Sequence, residues 1–239
     1  MDILYWAGCT FRYRFPEVVE DHLKLLEKLG FRTKRLTREL CCGDPLLLMG
    51  KSREFKDNAV KVSKLLRENN VDFVVTECAG CYHAFKAYEK VSVELPPIRH
   101  LSQVAAEALR KTSISNQKEK VAYHDPCELG RMSGVYDEPR EALRAVAELV
   151  EPLTSKDMAM CCGGGGGLWA LAPELCLTIA EIRLERDVEP IGVSKLVTAC
   201  PACLLNLSIA AERRKALTNR GVEVVDLGSY LLSRLEEQG

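Results

Sequence analysis

The sequence predicts an α/β protein of two pseudo-symmetric Rossmann-like lobes with small parallel sheets, produced by internal duplication. Three observations carry this expectation. A five-cysteine pattern occurs twice, and the segments flanking it recur at the same spacing. Short apolar runs alternate with helical patterns through both halves, an order that implies parallel sheets with right-handed crossovers.

In the first half, residues 2–7 read as a strand. Pro16 opens a helix with apolar Val18, Val19, Leu23, Leu26 and Leu29, and Gly30 ends it as a usual C′ residue. Residues 31–36 follow as a strand, 52–68 as a helix capped by Ser52, and 71–76 as a strand rich in β-branched side chains. The second half repeats this order: a strand at 121–124, a helix at 139–149, a short extended piece near 151–154, a helix at 173–187, a strand at 196–198 and a helix at 202–216. Each half closes on a strand-to-helix passage, Ile98-Arg99-His100-Leu101 in one and Val224-Val225-Asp226-Leu227 in the other. The polar stretch 111–120 is the expected linker between lobes spanning 1–112 and 118–239.

With 239 residues, 47% of them hydrophobic, the chain can bury a substantial core. A net charge of -1 with scattered basic residues argues against a nucleic-acid partner. No run approaches the roughly 18 apolar residues of a membrane span. The opening Met1-Asp2-Ile3-Leu4-Tyr5-Trp6 lacks the features of a signal peptide, so a soluble cytoplasmic protein is expected.

The chain has 11 cysteines, an odd number, and ten of them are grouped. In a reducing compartment such grouping points to metal ligation or redox chemistry rather than disulfides. The first set runs Cys9, 31 residues, Cys41-Cys42-Gly43, then Cys78-x-x-Cys81; the second runs Cys127, 33 residues, Cys161-Cys162-Gly163, then Cys200-x-x-Cys203. Matching cysteines are offset by 118, 120, 120, 122 and 122 residues. On the expected scaffold all of them follow the carboxyl ends of parallel strands, where such sheets form ligand crevices. Helix N-termini aimed at the same point would stabilise an anionic, thiolate-ligated cluster. Five thiolates exceed the four that a zinc ion or an ordinary cubane cluster takes, and an adjacent pair at a glycine turn suggests an open, non-cubane cluster.

The stretches "YWAGCT", "CCGDP", "CAGCY", "YHDPCELGR", "CCGGGGG" and "CPAC" resemble the cysteine-rich CCG-domain family over nearly the whole chain. Within it they are most similar to the catalytic (B/D-type) subunit of heterodisulfide reductase. The resemblance implies two 4Fe-4S clusters of non-cubane type, one on Cys9, Cys41, Cys42, Cys78 and Cys81, the other on Cys127, Cys161, Cys162, Cys200 and Cys203. It also implies a small thiol or disulfide substrate cleaved between the clusters. The sequence lacks the cysteine run of a cubane electron-transfer cluster, so electrons are expected from ferredoxin-like or flavin-containing partner subunits. Relatives in anaerobic dehydrogenases offer an alternative, an electron-transfer subunit serving a quinone or another carrier. A structural zinc protein is a third reading, disfavoured by the ligand count.

Other residues carry weaker signals. Gly163 to Gly167 resemble a phosphate loop, but Leu168 stands where the dinucleotide fingerprint needs its last glycine. His124 and His83 lie at the expected cluster ends of strands and are candidates for proton delivery, His100 less so; His22 lies on a helix. Asp44 and Asp125 precede prolines and are expected to fix turns. Cys176, within a helix, is expected to be a buried hydrophobe. Trp6 and Trp169 adjoin the two motifs and either screen a cluster or pack the core.

Overall fold

The computed structural model of the chain describes residues 1–110, 119–218 and 221–237. The first lobe contains β1 (Asp2–Tyr5), α1 (Cys9–Arg14), α2 (Pro16–Lys28), β2 (Arg32–Arg35), α3 (Asp44–Leu48), α4 (Ser52–Arg67), β3 (Phe73–Thr76), α5 (Ala79–Tyr88), β4 (Ile98–His100) and α6 (Leu101–Leu109). The second contains β5 (Lys120–His124), α7 (Asp137–Val146), β6 (Glu148–Val150), α8 (Leu168–Leu171), α9 (Pro173–Arg183), β7 (Lys195–Thr198), α10 (Pro201–Thr218), β8 (Glu223–Asp226) and α11 (Leu227–Glu236). The linker expected at 111–120 lies, except for its last two residues, outside the described residues.

Each lobe holds a four-stranded, all-parallel sheet, in the order β2-β1-β3-β4 and β6-β5-β7-β8. The expected α/β duplication is therefore present, with the same strand order in both copies. The central strands β1, β3, β5 and β7 are the apolar runs and are buried almost throughout, as strands covered on both faces must be. At the edge of the first sheet β2 reads Arg-Thr-Lys-Arg, and its charged, solvated side chains blunt pairing with another chain. In each sheet the chain leaves the first strand toward one edge and returns on its other side. The topological switch point therefore falls between β1 and β3, and again between β5 and β7.

Some boundaries differ from expectation. The helix expected at 139–149 ends at Val146, and Ala147 turns extended (φ -143°, ψ 168°). Glu148–Val150 then pairs with β5, so the strand lies just before the extended piece expected at 151–154. The apolar spacing of this stretch suits helix and strand alike, and the open edge of β5 decides between them. The helix expected at 173–187 is regular to Arg183 and continues as a π-helical turn over Leu184–Val188. Short α1, α3, α5 and α8 begin at or near the cysteine loops and are too short or too evenly buried for their periodicity to stand out.

The lobes dock through α2 against α11 and α6 against α7. Since α2 corresponds to α7 and α6 to α11, one pair of surfaces is used twice about a pseudo-two-fold axis, as in an isologous dimer. A single hydrophobic core runs across this seam, from Tyr5, Val19 and Leu26 to Tyr123, Leu143 and Leu231, while a second lies on the other face of the first sheet around Trp6, Phe55 and Phe85. Both C-terminal helices of the lobes start on side-chain caps. His100 and Gln103 form a reciprocal capping box on α6, and Asp226 accepts the Ser229 N–H (3.0 Å) on α11.

The seam leaves no room for a methyl group at Gly228. A Cβ there would lie 2.5 Å from His22 Cδ2 and 2.7 Å from Glu77 Oε2. Gly228→Ala is expected to cost about 1–3 kcal/mol through overpacking, seen as a lowered midpoint in denaturant unfolding.

Candidate metal centre

The cysteines occupy the two switch points. Cys9 opens α1 one residue after Gly8, Cys78 is the N-cap of α5, and Cys41-Cys42 precede Gly43, which is left-handed (φ 86°) before α3. In the second lobe Cys127 follows β5, Cys200 and Cys203 flank the start of α10, and Cys161-Cys162 precede Gly163 (φ 79°). Both turn glycines also meet neighbours closely: a Cβ would lie 2.8 Å from Asn58 Nδ2 at Gly43 and 2.9 Å from the Cys176 carbonyl oxygen at Gly163. Gly8 (φ 78°) lets the chain pass over the sulfurs, since a Cβ there would sit 2.9 Å from Cys81 Sγ.

All 11 cysteines are free thiols. In the first lobe hydrogen bonds link Cys41 to Cys42, Cys42 to Cys81, and Cys81 to Cys78. In the second the chain is Cys127, Cys161, Cys162, Cys203 and Cys200, with 3.1 Å between Cys162 Sγ and Cys203 Sγ. Hydrogen bonds from neighbouring thiols hold Cys42 and Cys161 down, while the same sharing pushes Cys41, Cys81 and Cys127 up. Backbone N–H groups also point at sulfur: Gly43 at Cys41 (3.4 Å), Cys81 at Cys78 (3.5 Å), Gly163 at Cys161 (3.3 Å) and Gly164 at Cys162 (3.4 Å). Crowded sulfurs beside helix N-termini, with N–H donors aimed at them, fit thiolates holding an iron–sulfur cluster.

The two sets approach each other across the seam. The Cys200 thiol is held down by hydrogen bonding with Cys203, and the N–H groups of Cys203, Ala202 and, from the other lobe, Ala79 act in the same direction. Glu128, next to Cys127, reaches Asp44 of the first lobe. Burial, then the charges of Cys200 and Asp44, push its carboxyl up to about 9. Gly80 makes space for this pair, since a Cβ there would lie 2.9 Å from Glu128 Oε2 and 3.2 Å from Asp44 Oδ2. Asp44 also hydrogen-bonds half-buried His83 (3.0 Å), so it does more than fix a turn.

The histidines part company. His124 is fully buried, both ring nitrogens lack a hydrogen-bond partner, and one lies within 4.8 Å of Cys162 and Cys203 Sγ. Burial, with help from Arg183, pushes its imidazole down to about 3, which favours the neutral ring. The corresponding residue in the first lobe is Trp6, which packs edge-on against Phe85 in the core. His100 caps α6 and meets the Glu77 carbonyl oxygen at 3.0 Å. Cys176 is buried in α9, and Trp169 lies on the short α8 after the glycine run.

Several positioning residues escaped the sequence reading. Arg140 grips Asp125 with two bonds (2.7 and 2.8 Å) and Glu151 with two more (2.8 and 2.9 Å), fixing the loop that carries Cys127. Glu39 accepts the N–H groups of Ala7 (3.0 Å) and Gly8 (2.9 Å) beside Cys9. The adjacent-cysteine turns are held at their carbonyl oxygens: Cys41 by Asn58 (2.9 Å), Cys42 by Tyr88 (2.8 Å) and Cys162 by Asn206 (2.5 Å). Only the helical registers of Asn58 and Asn206 hinted at this, because a polar side chain on a buried face needs a partner.

Fold and site together define a duplicated α/β protein whose paired crevices are lined by thiols suited to metal. The chain belongs to the CCG cysteine-rich domain family, which it matches over residues 3–86 and 121–208. It is similar to a dihydromethanophenazine:CoB--CoM heterodisulfide reductase subunit of Methanosarcina barkeri, with 33% identity over 230 residues, 90% of this chain and 55% of that protein. A fumarate reductase (CoM/CoB) subunit of Methanothermobacter marburgensis is 30% identical over 210 residues, 87% of this chain and 42% of that protein. The probable iron-sulfur-binding oxidoreductase FadF of Bacillus subtilis is 31% identical over 224 residues, 90% of this chain and 32% of that protein. The chain thus spans about half the length of these relatives, or less.

Arg140→Met should leave the Asp125 carboxylate buried without its partner. The expected cost is about 3–5 kcal/mol, a thermal midpoint lower by roughly 10 °C. Cys176→Ala, by contrast, should leave metal content per chain unchanged in elemental analysis.

Proposed function

We propose that the chain is an iron–sulfur oxidoreductase subunit that reduces, or in reverse forms, a disulfide or related sulfur bond. In this reading each five-cysteine set holds a 4Fe-4S cluster of non-cubane type, and a ferredoxin-like or flavin-containing partner subunit supplies electrons. The observation that carries it is the approach of the two cysteine crevices across the seam, where Ala79 N–H serves Cys200 and Glu128 meets Asp44. Relatives named as subunits of heterodisulfide and fumarate reductases support the class of reaction and the need for partners.

The balance is simple: one disulfide, two electrons and two protons give two thiols. Bound clusters would supply single electrons next to the sulfur being reduced. The ten cysteines hold them, the glycine turns bring backbone N–H groups to the sulfurs, and the seam between the lobes receives the substrate. His83, joined to Asp44, is the candidate for delivering protons, which separates it from desolvated His124.

A second reading is electron transfer without sulfur chemistry. It draws on relatives such as the EtfAB:quinone oxidoreductase of Syntrophomonas wolfei, 28% identical over 250 residues. The described helices include none long and apolar enough to cross a membrane.

Anaerobically purified protein is expected to carry about eight irons with matching sulfide, and Cys41→Ser or Cys161→Ser should each remove roughly half. Zinc as the sole metal would overturn both redox readings. A paramagnetic signal appearing in oxidised protein when a thiol is added supports sulfur chemistry. Full clusters without that signal would leave electron transfer as the function.

A further inference from the structure

Outside the cysteine crevices, a second set of metal-type donors converges in the seam between the lobes. His22 Nε2 on α2 lies 2.6 Å from Glu77 Oε2 and 2.7 Å from Asp226 Oδ1, and all three side chains are at most 1% exposed. His22 and Glu77 belong to the first lobe and Asp226 to the second. We infer that these three residues bind one divalent transition-metal ion of the zinc type, which clamps the lobes together.

Hydrogen bonding alone does not account for the cluster. A ring nitrogen carries at most one proton, and the geometry directs it at Asp226. Glu77 Oε2 is then pressed on the same nitrogen without a hydrogen bond, and Asp226 Oδ2 is also buried without a partner. The remaining oxygens are engaged elsewhere: Glu77 Oε1 accepts the Gly228 N–H (3.1 Å), and Asp226 Oδ1 also accepts the Ser229 N–H (3.0 Å). Two buried carboxylates face one imidazole nitrogen in a desolvated place. A divalent ion with a neutral imidazole balances both carboxylates.

The surroundings suit that ion. Tyr5 Oη bonds His22 Nδ1, and Phe11 packs edge-on to the ring (5.0 Å), so the imidazole is held with Nε2 toward the carboxylates. A ligating histidine characteristically engages its other nitrogen in this way. Gly228 opens the space beside the donors, since a Cβ would lie 2.7 Å from Glu77 Oε2 and 2.9 Å from His22 Nε2. One nitrogen and two carboxylate oxygens need only spread to roughly 3 Å apart to bind at zinc distances. The pseudo-symmetric positions hold Ala199 for Glu77 and His100 for Asp226, so the donor set arises once and is no by-product of the duplicated fold.

The inference is independent of the cluster reading, and metal analysis of the full-length purified chain tests it. Expected is about one equivalent of zinc, manganese, or iron in excess of acid-labile sulfide, lost in Asp226→Asn and His22→Gln. Metal content unchanged in folded Asp226→Asn would overturn it, since the ion would then reside on the cysteines or elsewhere. Less than roughly a fifth of an equivalent in the wild type would do the same. Chelator-stripped wild type provides a check that needs no variant: zinc or manganese chloride should raise its thermal midpoint, and no rise with either ion overturns the site.

Discussion

The docking of α2 on α11 and of α6 on α7 is the constraint on which the site depends. Each lobe alone places five thiols near a switch point, but a crevice facing water is only half of the arrangement. Because the same pair of helix surfaces is used twice, the two crevices are brought together by pseudo-symmetry. The consequence is visible at the seam, where the α5 N-terminus of one lobe donates to Cys200 of the other and Asp44 meets Glu128. A core continuous across the boundary makes this a fused arrangement rather than two domains on a tether.

Within each lobe the sulfurs converge because a parallel sheet leaves a gap where its strand order reverses. Loops entering that gap carry backbone N–H groups and helix N-termini, the donors that stabilise thiolates. Loops are mobile by default, and here each is tied down by a buried polar side chain. Arg140 anchors the Cys127 loop through Asp125, Glu39 holds the Cys9 loop, and Tyr88, Asn58 and Asn206 grip the adjacent-cysteine turns. Such rigidity matters where several thiols must point at one place, since a displaced carbonyl or N–H costs far more in a dry site than in water.

The lobes share a scaffold but not its details. Where one has Trp6 packed into the core, the other has desolvated His124 beside Cys162 and Cys203. Where one has Glu77 before its C-x-x-C, the other has Ala199. The two crevices therefore differ in their surroundings.

The sequence alone determined the duplication, the α/β class, the family and the ten grouped cysteines, because spacing and composition are local quantities that a repeat makes visible twice. It also located the turn glycines, since a left-handed backbone admits few other residues. What it left open were contacts between residues far apart in the chain. Arg140 with Asp125 and Glu151 had no local signature, nor did Glu128 with Asp44, or His22 with Glu77 and Asp226. His22 read as one polar position on an amphipathic helix, and only folding gave it two carboxylates, one from 204 residues away. The strand at Glu148–Val150 was decided in the same way, by the free edge of β5 rather than by its own pattern. Pattern specifies which face is buried, and the partner on that face is fixed only when the lobes close on each other.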